Sequence, residues 1–439
     1  MKKIEESIRP GERPDAGKGR GTMVSCKKYL IPVLFIAATV LFSCGGSEIA
    51  LVPGNQANDH ISITNDEGAI EGRQINRDVP VPVIDNGYVS VMGSAARPAA
   101  APSFSLTLTT EVLPPTLSGN KLQATSIAMS NNKAVVSYNM RGAEYLGGID
   151  VFTISNEKSV KLKSEALFHN ADVNSVTYND THVYAALASR DGAPDPAVFE
   201  VLGLQGANLV LDGNAQAPLT SYAGTSAVFQ GSRVYATSGD NGALFVFDSA
   251  NLDLQEYSFD LHDARWVDVN DGKVVVVQGT PGQISVYDEA NMTLPPDVFP
   301  FDGANVAESK STVQVIGGKA IIAAGDNGVQ VVSLATGNVL GYVPLPDNNV
   351  LGLSRDVVVT NAVSAEGDLL FISNGEAGIY VAKADTRFDQ DWGETFHTID
   401  PLGQLQFSDL ESANHVAYKD GLLIVASGLG GLKVVRLTY

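Results

Sequence analysis

The chain has 439 residues, a formal net charge of -20, 44% hydrophobic and only 18% charged side chains, and 43 glycines. This composition excludes a disordered chain and a long helical one, and the acidic surplus excludes nucleic acid and anionic lipid headgroups as partners, since those need clustered Lys and Arg. Length alone suggests two or three domains, unless an internal repeat builds one larger body.

The N-terminal region reads as an export signal. Lys27 and Lys28 precede an apolar run over residues 29–42, which is too short and wrongly flanked for a membrane span, and Ser43 and Cys44 follow it. Residues 1–22 are polar and rich in Gly, Pro and Arg, so Met23 is the expected start and 1–43 the expected removed segment. Leu41, Phe42, Ser43 and Cys44 resemble the lipobox of bacterial lipoproteins. The resemblance implies diacylation of the Cys44 thiol, cleavage before it and a lipid anchor in the bacterial cell envelope. Gly45 after the cysteine resembles the enteric sorting pattern for the outer membrane. Cys26 and Cys44 are the only cysteines, which leaves the exported part without an internal disulfide.

Residues 44–103 are expected to form a lipidated flexible tether. The stretch carries PVPV at 80–83 and GSAARPAAAPS at 93–103, a composition too poor in large apolar groups for a core of its own.

From residue 104 to 439 short β-branched runs alternate with Gly, Asn and Asp at a period of 40 to 55 residues. Seven units align on the residue that opens their second strand: Lys133, His182, Arg233, Lys273, Lys319, Asp368 and Leu422. Each opener follows a polar turn pair such as Asp271-Gly272, Glu366-Gly367 or Asp420-Gly421, which favours a tight hairpin. A second Gly-containing hairpin follows, GDNG at 239–242 and again at 325–328, then a third strand such as LFVFD at 244–248 or ISVYD at 284–288. Four antiparallel strands per unit predict an all-β fold, a closed β-propeller of about seven four-stranded blades. The units resemble LVIVD-repeat β-propellers of bacterial surface proteins, a family likeness that implies a fold and almost no activity; the second unit departs from it at Pro194, Asp195 and Pro196. The last unit stops at Tyr439, directly after its third strand, so the alternating run at 104–112 is expected to supply its outer strand and close the ring.

The inner strand of each blade should start at the mouth of the central channel. Counting back seven residues from the openers gives Ser126, Ser175, Ser226, Trp266, Thr312, Asn361 and His415; counting back eight gives Thr125, Asn174, Thr225, Arg265, Ser311, Thr360 and Asn414. Such a lining of hydroxyls and amides suits hydrogen bonding to water or sugars, or mutual satisfaction between blades, better than proton transfer. Asp263, Arg265 and Trp266, with His262 and Asp268 nearby and Glu308 and Lys310 one blade on, are the candidate ligand-binding group, joined by His415 at the mouth. Against that stands a structural reading, an inter-blade salt bridge with Trp266 in the core. No catalytic set, metal site or cofactor is implied. The expected function is a membrane-anchored extracytoplasmic binding or scaffold protein that contacts a protein or glycan, with loops at 141–148 and 190–196 overhanging one face. The alternative is an exported hydrolase or lactonase acting through Asp263, Arg265, Glu308 and Lys310.

Overall fold

The middle strands of the repeat are apolar at nearly every position because each blade is sandwiched between two others. Lys319–Ala323, Val329–Ser333 and Leu369–Ser373 are buried along their whole length. An outer strand such as Asn251–Leu261 buries few of its residues. The computed structural model describes residues 54–85, 103–130, 132–192, 195–307, 309–407 and 411–439. The export signal, Cys44 and Glu308 lie outside the described residues.

The repeats fold into a seven-bladed β-propeller of four-stranded antiparallel sheets, three of which carry added strands. Blades 1 to 7 begin with the inner strands Gln123–Met129, Ala171–Tyr178, Ser226–Gln230, Ala264–Asn270, Val313–Ile316, Ala362–Glu366 and His415–Lys419. The first hairpins of blades 4 and 7 behave as their turn pairs require. Asp271 and Gly272 have φ of 53° and 71°, and Asp420 and Gly421 have 49° and 80°, the mirror-image turn whose twist matches the flanking strands. In blade 6 the turn falls one residue later than expected. Glu366 pairs with Leu369, so Gly367 and Asp368 form the turn and the second strand opens at Leu369 rather than Asp368.

The ring closes through the N-terminal strand. Ser105–Val112 lies antiparallel to Leu432–Thr438, with Val112 opposite Leu432 and Ser105 opposite Thr438, as the fourth strand of blade 7. It is not the outermost strand of that blade, because Gln74–Pro80 pairs along its other edge.

The tether expected over 44–103 is corrected for residues 54–85, which form a belt on the outer circumference. Ile61–Thr64 adds to the outer strand Val160–Phe168 of blade 1, with Gln56–Ala57 beyond it. After a one-turn helix capped by Asp66, Gln74–Pro80 covers blade 7 and Val83–Ile84 pairs with Ile399–Leu405 of blade 6. Ladder hydrogen bonds and four buried apolar side chains, Ile61, Ile63, Ile70 and Val81, hold this segment without a core of its own. Arg73 fixes its middle. The guanidinium grips both oxygens of Asp150 at 2.9 and 2.6 Å, also pairs with Glu165, and donates to the Leu113 carbonyl at 2.9 Å.

Candidate functional site

The channel mouth is assembled where each inner strand starts, and its polar side chains are engaged chiefly in joining one blade to the next. The hydroxyl seven residues before the second strand accepts from a backbone N–H of the following blade: Ser126 from Val176 (3.2 Å), Ser175 from Ala227 (3.3 Å), Ser226 from Val267 (3.4 Å) and Thr312 from Val363 (3.2 Å). The residue before it donates to a carbonyl of the following blade: Thr125 to Val173 (3.0 Å), Asn174 to Gly224 (2.9 Å), Thr225 to Ala264 (2.9 Å) and Asn414 to Ala124 (2.9 Å). Asn361 takes this second role, donating to Ala413 at 3.4 Å, as the one-residue shift in blade 6 requires.

The second-hairpin glycines make the matching backbone links. Gly239 (φ 74°) exchanges two hydrogen bonds with Ala264, and Gly325 (φ 58°) exchanges two with Thr360. A side chain at either residue would have to be held in the left-handed region.

The junction from blade 4 to blade 5 is built differently. Arg265 is buried, forms a two-point ion pair with Asp263 (Nε–Oδ1 3.0 Å, Nη2–Oδ2 2.8 Å) and donates from Nη1 to the Val306 carbonyl at 2.8 Å. Asp263 also accepts from the Thr280 backbone at 3.0 Å. All three guanidinium nitrogens are therefore engaged, Nε and Nη2 by Asp263 two residues earlier and Nη1 across the junction, which is the geometry of a structural salt bridge. His262 does not join them; it is exposed and pairs with Asp240 at 3.0 Å. Asp268 lies deeper on its strand and accepts from Val269 and Val315 at 2.9 and 2.7 Å, and burial pushes its carboxyl up to about 6.

Trp266, Lys310 and His415 do converge, from three different units. The Trp266 and His415 rings are 5.3 Å apart and tilted by 32°, and the Lys310 ammonium sits 5.8 Å from the centre of the Trp266 ring. Lys310 also donates to the Asn174 carbonyl of blade 2 at 3.1 Å, so the cluster spans the channel. Burial lowers the Lys310 amine to about 8. Burial, with the Lys310 charge second, lowers the His415 imidazole to about 3, so the ring stays neutral at physiological pH. Its Nδ1 is buried and makes no hydrogen bond. This is a cation-capped aromatic plug. It holds no carboxylate among its described members.

Two contributions escaped sequence reasoning. The Asn174 partner is a backbone carbonyl, which carries no residue-type signal. Asp172 orders the first overhanging loop by accepting from Met140 and Leu146 at 3.0 and 3.3 Å, leaving residues 141–144 exposed above it. In the second loop Arg190 and Asp191 are exposed, while residues 193–194 lie outside the described residues.

No protein-family model matches the chain, and no curated protein matches its sequence. Among solved structures it is similar to the WD40 β-propeller domain of Doa1, at 14% identity and a TM-score of 0.47 over 74% of this chain and 96% of that one. The computationally designed Ika8 protein matches at 14% identity and 0.43, over 73% and 98%. PorZ, a bacterial surface component of the type-IX secretion system of Porphyromonas gingivalis, matches at 13% and 0.44, over 73% of this chain and 37% of that one. These likenesses concern the fold alone; blade number and closure rest on the strand pairing itself.

Proposed function

We propose that this chain is an LVIVD-type propeller lipoprotein of the bacterial envelope, anchored through Cys44, that acts as a binding or scaffold body for a protein or glycan partner. The observation that carries the reading is the occupation of the mouth. Its hydroxyls and amides link neighbouring blades, and Arg265, the group best suited to stabilise developing charge, has every nitrogen engaged by Asp263 and Val306. A rigid ring that carries exposed loops is a common arrangement for contact surfaces. The basic residues Lys27 and Lys28, the apolar run at 29–42 and Cys44 support the anchor.

A hydrolase or lactonase would need Asp263, Arg265, Glu308 and Lys310 to address one substrate, yet the Arg265 and Lys310 nitrogens address different partners. The test is cell fractionation joined to an activity screen. Cys44→Ala should leave the membrane fraction, and the purified wild type should turn over no member of a broad lactone and ester panel. Continued membrane retention of the variant refutes the anchor. Turnover abolished by Arg265→Ala and Lys310→Ala establishes the enzyme instead.

A further inference from the structure

The longest connection between blades, residues 344–361, joins blade 5 to blade 6 on the mouth side, where residues 169–170 or 262–263 suffice at other junctions. The connection carries a one-turn helix, Asn348–Leu351, and a 3-10 turn, Arg355–Val357. It is built to hold its shape. Asp347 caps a short turn by accepting from Asn349 at 2.9 Å, Gly352 ends it at φ 69°, and Asn348 donates to Leu353 at 3.2 Å. Arg355 reaches back to the second hairpin of blade 5, donating from Nη2 to the Asp326 carbonyl at 2.6 Å.

Between this loop and the hairpin lies an open cleft of about 290 Å³, lined among others by Asp326, Asn327, Tyr342, Pro344, Asn348 and Arg355. The same GDNG hairpin occurs in blade 3, where only residues 262–263 follow the outer strand and Asp240 pairs with His262 instead. The inserted loop is thus what turns a routine hairpin into the wall of a cleft.

We propose that this cleft binds a neutral hexopyranose residue of a glycan. Its volume of about 290 Å³ falls just below the range for drug-sized ligands, about 300 Å³ upward, which suits a single sugar ring better than a folded partner. A pyranose presents adjacent hydroxyls, each donor and acceptor, around an apolar C–H face. The cleft offers part of the complement beside Tyr342 and Pro344: the Arg355 guanidinium as donor, and as acceptors the remaining lone pairs of Asp326 and Asp347, whose carboxylates also accept from Asn305 and Asn349. Tyr342 is already oriented, its hydroxyl donating to Asn327 at 3.1 Å. The guanidinium of exposed Arg355 makes one hydrogen bond, which leaves donors to face a ligand. Charge selects within the sugars. Asp326 and Asp347 line the cleft with Arg355 as its one cation, and the chain carries a net charge of -20, so an acidic sugar is disfavoured.

The inference rests on the binding-protein reading and commits its partner to a glycan. The test is saturation-transfer NMR on the full Cys44→Ala chain with the methyl glycosides of glucose, galactose and mannose, and glucuronate as the charged comparator. At least one neutral glycoside should receive saturation. Arg355→Ala and the isosteric Asn348→Asp should each weaken it at least tenfold with overlapping melting curves, while Asn241→Ala in the blade 3 hairpin should change nothing. The proposal is overturned if no neutral glycoside is saturated, if glucuronate is preferred, or if both cleft variants bind as the wild type does. An envelope partner captured equally by the wild type and by the Arg355→Ala, Asn348→Asp double variant overturns the cleft while leaving the binding-protein reading intact.

Discussion

Gly431 shows how closely single residues are tied to ring closure. It has φ of 73°, and a Cβ there would lie 2.0 Å from the Val112 carbonyl of the closing strand. Gly431→Ala should therefore lower unfolding free energy by about 2 kcal/mol or more, from backbone strain and the clash together. Gly72, with nothing within 4 Å of its added Cβ, is the matched control, and Gly72→Ala should stay within about 0.5 kcal/mol by urea titration. Asp268 supplies a pH signature. Its carboxyl is raised to about 6 in the folded chain, chiefly by burial, so the fold binds that proton more tightly than the unfolded chain does. Its contribution is fully present below the ordinary carboxylate range and is lost as pH rises through about 6. The stability of the wild type relative to Asp268→Asn should accordingly fall between about pH 4 and pH 7. A difference that is flat with pH contradicts that environment.

At the scale of elements, the closing strand and the belt carry different loads. Ser105–Val112 completes blade 7, whereas Gln74–Pro80 and its neighbours add strands to blades already complete. Removing residues 104–112 should sharply lower the melting temperature, while removing 54–85 should lower it less and leave the propeller's circular dichroism intact. Equal losses would show the belt to be part of the closure. The belt's strongest single attachment is Arg73, and Arg73→Ala should destabilise by about 3–5 kcal/mol because it leaves the fully buried Asp150 carboxylate uncompensated. The blades were legible in the sequence because most of their hairpins demand residues that tolerate positive φ, and that demand recurs every 40 to 55 residues. The belt was not. Ile61 and Ile63 alternate over only four residues, and a strand held by ladder hydrogen bonds to an existing edge leaves little trace in composition. In blade 6 the run Glu366, Gly367, Asp368 offers two choices of turn pair, and only the pairing of Glu366 with Leu369 decides between them.

For the molecule as a whole, the arrangement of the mouth depends on the ring and not on local sequence. The positions of the mouth side chains could be counted from the repeat, but not that Trp266, Lys310 and His415 meet across the channel, since they belong to different units. Counting likewise placed Arg265 beside Asp263, while its remaining partner, the Val306 carbonyl, lies on the connection into blade 5. The polar side chains of the mouth fasten blade to blade. The most direct measurement is the urea unfolding free energy of the triple variant Ser126→Ala, Ser175→Ala, Ser226→Ala, which leaves the Val176, Ala227 and Val267 N–H groups without their hydroxyl acceptors. The expected result is a loss of about 1 kcal/mol or more per site with unchanged circular dichroism. An unchanged unfolding midpoint would contradict it.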